Sequence, residues 1–110
     1  MLPISDSDIG LLERKASKAA NTLKSLSNKW RLLILCQLVK SEKSVGEILE
    51  VIDLSQSALS QHLAVLREAE LVSTRRESQS IYYSLKGKEV PIILAALYEV
   101  YCRPAKATRK

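Results

Sequence analysis

The segment from Ser55 to Ala69 most restricts the fold, because its leucines follow a helical spacing. Leu59, Leu63 and Leu66 are separated by four and three residues, which places them on one face of a helix. Ser55 precedes this face and belongs to the residue types that cap helix N-termini. At about 100° per residue, the opposite face carries small or polar side chains. These are Ser57, Ser60, Gln61 and Ala64. A helix held by leucines and presenting a narrow polar surface is therefore predicted.

A capping box predicts a short helix directly before this segment. Ser44 and Glu47 have the Ser-x-x-Glu spacing, in which each side chain satisfies a free backbone N–H of the other residue. The helix is expected to reach about Ile52, and Asp53 and Leu54 are expected to form a tight turn. Two helices joined by such a turn form a helix-turn-helix motif.

A β-hairpin and three more helices are predicted around this motif. Residues 71–77 and 80–85 are β-prone and flank Ser78 and Gln79. These two residues lack the Asn-Gly or Asp-Gly pair that favours a two-residue loop, so a longer or mobile loop is expected. The three helices are predicted at 9–26, at 30–39 after the capping residue Asn28, and at 88–101. The element order predicts a mainly α protein with a small β-hairpin, a winged helix-turn-helix with five helices plus the wing.

Length and composition predict one folded domain over residues 1–110, with short flexible ends at about 1–7 and 103–110. The chain is 46% hydrophobic and 26% charged, as ordinary globular proteins are. Its net charge of +5 favours an anionic partner such as nucleic acid. The N-terminus has no signal-peptide pattern and the apolar runs are too short for a membrane span, so a cytoplasmic protein without a membrane partner is expected.

Short polar side chains on the 55–69 helix, together with the hairpin, suggest contact with double-stranded DNA. Glutamine can pair bidentately with adenine in the major groove, and helix N-termini attract phosphate. Arginines on the hairpin can reach the DNA backbone or minor groove, although a solvated basic edge strand would have the same composition. The candidate DNA-binding residues are Ser55, Gln56, Ser57, Ser60, Gln61, His62, Arg75, Arg76, Ser78 and Gln79.

From about Ala20 to Cys102 the sequence resembles the ArsR family of bacterial winged-helix repressors. The resemblance lies in LKSLSNKWRLLILCQL, in SVGEILEVIDLSQSALSQHLAVLREAELVSTRRESQSIYYSL and in the terminal LYEVYC. It implies a homodimer whose first and last helices pack across a two-fold axis. The two recognition helices, residues 55–69 of each copy, would then bind a pseudo-palindromic operator about one helical turn apart.

Many members of that family sense metals, but the metal-binding patterns are missing here. Val45, Gly46 and Glu47 stand where the short helix would need thiols, and the last helix contains no His and no Asp. The single histidine, His62, lies in the recognition helix. We therefore expect no metal site and no cofactor, since a soft-metal site needs about three or four converging N or S ligands.

The two cysteines resemble those of the family's dithiol branch, which senses reactive sulfur species or oxidants. Cys36 is predicted in the core helix and Cys102 at the end of the last helix. The resemblance implies a repressor that releases DNA when a disulfide or polysulfide bridge joins them. A purely structural role stays open, because a free cysteine often packs as a small hydrophobe. The protein would then be a constitutive regulator or an antirepressor.

Two other classes of protein compete with this interpretation. A thiol-disulfide oxidoreductase is disfavoured, because the chain has no Cys-x-x-Cys motif, no glycine-rich phosphate loop and only 3 glycines. We therefore expect that the protein is not an enzyme. A protein-interaction module that uses the winged helix without DNA is the second alternative, and salt-dependent binding to duplex DNA would separate the two.

Overall fold

The computed structural model describes residues 4–104, and these form six helices and three strands. The helices are α1 Asp6–Arg14, α2 Ala16–Leu26, α3 Lys29–Lys40, α4 Val45–Val51, α5 Gln56–Glu68 and α6 Glu89–Tyr101; the strands are β1 Lys43–Ser44, β2 Val72–Glu77 and β3 Ser80–Leu85. The predicted class, a mainly α winged helix-turn-helix, is confirmed. Within the described range it has one helix more than the five expected.

The additional helix arises because the predicted first helix is two helices. Lys15 has φ −109° and ψ 12°, outside the helical range, and separates α1 from α2. Apolar residues recur at helical spacing on both sides of this break, so the periodicity alone did not reveal it. At its other end α1 begins at Asp6, inside the segment expected to be flexible, because Ser5 and Asp8 form a capping box. Residues 1–3 and 105–110 of the predicted ends lie outside the described range.

The helix-turn-helix is bounded by the side-chain caps that the sequence predicts. Ser44 Oγ accepts from the Glu47 N–H at 3.2 Å, while Glu47 Oε1 accepts from the Ser44 N–H at 2.8 Å. Ser55 Oγ accepts from the Ala58 N–H at 3.1 Å and begins α5. Each cap satisfies a backbone donor that has no intrahelical partner, which determines where α4 and α5 begin.

The recognition helix α5 is held by its leucines. Leu59, Leu63 and Leu66 are at most 1% exposed and belong to one core cluster. The cluster also contains Ile34, Leu35 and Leu38 from α3, Ile48 from α4, Leu71, Val72 and Val90. Each fully buried leucine stabilises the fold by about 1.5–3 kcal/mol relative to exposure. This burial fixes the rotation of α5 about its axis, so the residues opposite the leucines face outward.

The wing is the predicted hairpin with one strand more. β2 pairs with β3 in antiparallel register with Thr74 opposite Tyr83, and the connecting loop is Ser78 and Gln79. Ser78 adopts φ 57°, so a two-residue loop forms without an Asn-Gly or Asp-Gly pair, and the expectation of a longer loop is wrong. β1 adds to the other side of β3, in the order β1-β3-β2. The sequence did not predict β1, because two residues are too short for an alternating pattern.

Candidate DNA interface and dithiol pair

The outward face of α5 carries the predicted polar side chains. Ser57, Ser60 and Gln61 are exposed, as are Ser55 and Gln56 at the N-terminus of the helix. The Ser55 hydroxyl caps the Ala58 N–H, whereas the N–H groups of Gln56 and Ser57 belong to the first turn, where no intrahelical acceptor exists. This end of α5 therefore offers side-chain amides, hydroxyls and backbone N–H groups on one surface. Such groups form hydrogen bonds with the edges of DNA bases and with phosphates.

The wing tip and the N-terminus of α5 lie on the same side of the molecule. Gln56 of α5 and Gln79 of the wing loop line one open groove, together with Ser80 and residues of α4. Ser78, next to Gln79, is also exposed. The fold thus brings together two groups of predicted DNA-binding residues that are more than 20 positions apart in sequence.

The two wing arginines have different environments. Arg76 is exposed and forms no ion pair with any residue between 4 and 104. Arg75 donates from Nε and Nη2 to both carboxylate oxygens of Glu42, each at 2.8 Å, and from Nη1 to Glu77 at 2.8 Å. The hydrogen bonds to Glu42 and Glu77 raise the pKa of Arg75, and the bond from Arg75 lowers the pKa of Glu42. The Arg75 charge is thus engaged in ion pairs within the chain, although the side chain is 51% exposed.

His62 lies on a different side of α5 from Gln61. It is partly buried, and its Nδ1 lies 3.4 Å from Nη1 of Arg31 on α3. Arg31 also donates from Nε to the carbonyl oxygen of Ser25 near the end of α2. Burial, with a smaller effect of the Arg31 charge, lowers the pKa of His62, so the imidazole is neutral at physiological pH. The structure therefore places His62 between helices and not among the outward polar residues.

Arg67 is a candidate that the sequence analysis missed. Arg67, Ser60 and Tyr83 line one groove on the wing side of α5, and Arg67 is exposed. Arg67 follows Ser60 by seven residues, which is two helical turns and hence the same face. The helical spacing that identified Ser57 and Ser60 would also have identified Arg67, two turns further along the helix.

The two cysteines are free thiols at the surface of neighbouring helices. Cys36 lies in α3 and Cys102 caps the C-terminus of α6, and both are exposed. α3 and α6 are in contact. Burial raises the pKa of Cys36, and negative charge at Cys102 raises it further. In the single chain neither thiol fills the core, unlike Ile34 and Leu35 beside Cys36.

The described residues include neither a cluster of metal ligands nor a helix suited to a bilayer. Between residues 4 and 104, no three His, Cys, Asp or Glu side chains converge in a way that could hold a metal ion. In the same part of the chain, no helix has the length and apolar character that crossing a bilayer requires.

A helix-turn-helix with an outward polar recognition helix and an adjoining wing defines the class of winged-helix DNA-binding regulators. The family "Bacterial regulatory protein, arsR family" matches residues 28–74. The transcriptional activator HlyU of Vibrio cholerae is 47% identical over 92 residues, covering 84% of this chain and 85% of HlyU. The chain belongs to the ArsR family and is a DNA-binding transcriptional regulator.

Solved structures support the same assignment. The transcriptional repressor BigR from Xylella fastidiosa superposes with a TM-score of 0.82 at 40% identity, covering 92% of this chain and all of BigR. Mb0332 from Mycobacterium bovis, described as a homodimeric winged helix-turn-helix DNA-binding domain, has a TM-score of 0.69 at 31% identity, with 91% and 89% covered. The predicted resemblance is confirmed. The prediction that the chain is not an enzyme is also confirmed, since its relatives are transcriptional regulators.

Proposed function

We propose that this chain is a cytoplasmic homodimeric repressor that binds a pseudo-palindromic operator and releases it when Cys36 and Cys102 become bridged. The observation that carries the proposal is the surface shared by the N-terminus of α5 and the wing tip, where Gln56 and Gln79 line one groove. On this surface we assign base contacts to Ser57, Ser60 and Gln61, and backbone contacts to Ser55, Gln56, Arg76, Ser78 and Gln79.

Apolar side chains on α1, α2 and α6 support a dimer. Leu12 and Leu23 are 56% and 57% exposed, and with Ile93 of α6 they line an apolar groove. Val100 and Tyr101 near the end of α6 are 72% and 79% exposed. A second copy packed on this face would remove that surface from water. It would also set two recognition helices about one DNA turn apart, as a pseudo-palindromic operator requires.

The proposed switch is oxidation of the two thiols. With hydrogen peroxide, a bond forms between the two Sγ atoms, and two electrons and two protons pass to the peroxide, which leaves as two waters. With an organic persulfide, the two thiols react with two persulfide molecules. One sulfur atom is inserted between the two Sγ atoms, and two organic thiols and one hydrogen sulfide are released. A direct bridge needs Cα atoms about 4.4–6.8 Å apart, and we propose that closing it moves α3 and α6, which are in contact, relative to each other. Because α6 carries part of the proposed dimer face, this movement would change the separation of the recognition helices.

The test of the switch uses a duplex that the reduced wild-type protein selects from a randomised-sequence library. We expect tight binding by the reduced protein and release after treatment with peroxide or persulfide, with intact mass identifying the bridge. Cys36→Ser and Cys102→Ser should keep binding under both treatments. If both variants release the duplex as readily as wild type, the cysteines are structural and the regulator is constitutive.

The DNA-binding surface is tested by two kinds of substitution. Gln61→Ala should weaken binding to the selected duplex and relax the preference at one base pair, a cost of about 1–3 kcal/mol. Arg76→Gln should weaken selected and scrambled duplexes equally and reduce the salt dependence of log K by about 0.9. The assignment of this surface would be refuted if the selection enriched no sequence. It would also be refuted if Gln61→Ala and Arg76→Gln both bound DNA with wild-type affinity.

A further inference from the structure

The guanidinium of Arg75 is held on several sides. Both oxygens of Glu42 accept from Nε and Nη2, and Glu77 accepts from Nη1. Cζ lies 4.9 Å from the centre of the Tyr82 ring, which stands opposite Arg75 across the hairpin. A bidentate carboxylate pair combined with ring stacking restricts the orientation of a guanidinium far more than a single ion pair does.

The residues of this network come from separate parts of the fold. Glu42 lies in the connector between α3 and β1, Arg75 and Glu77 lie on β2, and Tyr82 lies on β3. Glu42 and Arg75 are 33 residues apart in sequence. β1 pairs only with β3, through Lys43 and Ser44, and β2 lies on the other side of β3. The bond from Glu42 to Arg75 therefore links the connector to the strand on the far side of the sheet.

The network also changes the charge that the wing offers to DNA. Two carboxylates surround the Arg75 cation, so the cluster is net negative. Arg76, on the opposite side of the same strand because side chains alternate, has no ion pair within the described residues. One wing arginine is therefore free for phosphate, while its neighbour is bound to the connector.

We propose that Glu42 is a positioning residue for DNA binding: its bidentate bond to Arg75 orients the wing and withholds the Arg75 charge from the DNA backbone. This inference rests on the proposed role of the wing and replaces a direct DNA contact by Arg75. Glu42 raises the preference for the operator over other sequences, because it fixes where Arg76 and the wing tip meet DNA and removes a sequence-independent phosphate contact.

The test is a cycle of Glu42→Gln, Arg75→Gln and the double variant on the selected duplex and a scrambled duplex of equal length. Each single change should lower the ratio of selected to scrambled affinity about tenfold, as expected for groups in one hydrogen-bonded network. The double variant should lose no more than Arg75→Gln alone. Arg75→Gln should leave the salt dependence of log K unchanged, whereas Glu42→Gln should steepen it, by at most about 0.9, since it releases the bidentate side of the guanidinium while the bond to Glu77 remains.

Matched variants keep this inference separate from the proposed function. Arg75→Lys keeps the positive charge but lacks the planar guanidinium that forms the bidentate bond. It should lower the ratio of selected to scrambled affinity as much as Arg75→Gln does. Glu77→Gln leaves both Glu42 bonds and should keep the wild-type ratio of selected to scrambled affinity, although the loss of one negative charge strengthens binding to both duplexes. In the absence of DNA, hydrogen exchange in β2 and β3 should be faster in Glu42→Gln, with an unchanged denaturation midpoint.

Two results would overturn the inference. Arg75→Gln could reduce the salt dependence by about 0.9 and weaken both duplexes equally, which would make Arg75 a phosphate ligand. Alternatively, Glu42→Gln could keep the wild-type affinity ratio. Both results are compatible with DNA binding by α5 and the wing, whereas failure of Arg76→Gln and Gln61→Ala would refute that DNA-binding role itself.

Discussion

At the residue scale, His62 shows how burial decides the charge of a side chain near DNA. It lies in the recognition helix but packs toward Arg31, and burial is the larger cause of its lowered pKa. A neutral imidazole can accept a hydrogen bond from Arg31, whereas an imidazolium would be repelled by it. His62 therefore contributes to the α3–α5 contact in its neutral form.

The lowered pKa of His62 predicts that stability falls as the solution is acidified. The unfolded chain takes up this proton near pH 6.5, before the folded chain does, so stability present above pH 6.5 is lost as pH falls toward the folded pKa. His62 is the only histidine, so its NMR titration is unambiguous in untagged protein. His62→Gln should remove this part of the pH dependence, and Arg31→Gln should shift the titration upward. A His62 pKa at or above 6.5 would contradict the assignment.

The raised pKa of Cys36 predicts how its reactivity depends on pH. Burial is the larger cause of the raised pKa, and charge at Cys102 is the second. Both effects keep the Cys36 thiol protonated at pH values above its usual pKa of 9.0. Because only the thiolate reacts, Cys36 should alkylate with a midpoint above that value. Cys102→Ser should move the midpoint down without restoring it fully. The rate of alkylation by iodoacetamide is measured by mass spectrometry across a range of pH. An alkylation midpoint of Cys36 that is the same in wild type and in Cys102→Ser would mean that the two thiols do not interact.

At the element scale, α5 depends on a cap at the end that we propose contacts DNA. The Ser55 hydroxyl accepts from the Ala58 N–H, and the leucine face fixes the rotation of the helix. The cap keeps the first turn ordered and leaves the N–H groups of Gln56 and Ser57 without an intrahelical acceptor, as groups at a helix N-terminus that can bind phosphate. Local capping and long-range packing therefore act on the same helix in different ways.

Loss of this cap should destabilise the protein measurably. We expect Ser55→Ala to lower the free energy of unfolding by about 0.5–2 kcal/mol in urea denaturation. Ser55→Asn keeps an accepting side chain and should stay near wild type, and Ser44→Ala tests the equivalent cap of α4, which is part of a capping box. Equal stability of Ser55→Ala and Ser55→Asn would show that the cap contributes nothing.

At the scale of the whole molecule, exposed apolar residues on α1, α2 and α6 leave the single chain incompletely covered. Leu23 of α2 is 57% exposed and lines an apolar groove with residues of α1 and α6, and Tyr101 at the end of α6 is 79% exposed. Scattered apolar residues are normal on a monomer, whereas a continuous apolar face marks an interface. The proposed dimer therefore also completes the burial of these helices.

A charge placed on this face should break the dimer. Leu23→Glu is expected to shift sedimentation from dimer to monomer at micromolar concentration, because a carboxylate buried in an apolar interface lacks a partner. Val51→Glu is the matched control, since Val51 is 59% exposed on α4, outside the groove. An unchanged dimer in Leu23→Glu, or a monomeric wild type, would contradict the proposed face.

Patterns within the sequence determined the helix-turn-helix, the hairpin and the outward face of α5. The reason is that caps and residue spacing act over a few neighbours: Ser44 with Glu47, Ser55 with Ala58, and leucines four and three residues apart. A break such as Lys15 was missed because its neighbours on both sides continue the same period.

Tertiary structure decided what each candidate side chain meets. Arg75 and Arg76 are adjacent and alike in sequence, yet only Arg75 reaches Glu42, which lies directly before β1 and is brought to the wing by the pairing of β1 with β3. Helix packing likewise sets the contact of His62 with Arg31, 31 positions away, and the contact of α3, which carries Cys36, with α6, whose C-cap is Cys102. Local sequence patterns do not predict these contacts between residues distant in sequence, because the contacts exist only after the core has formed.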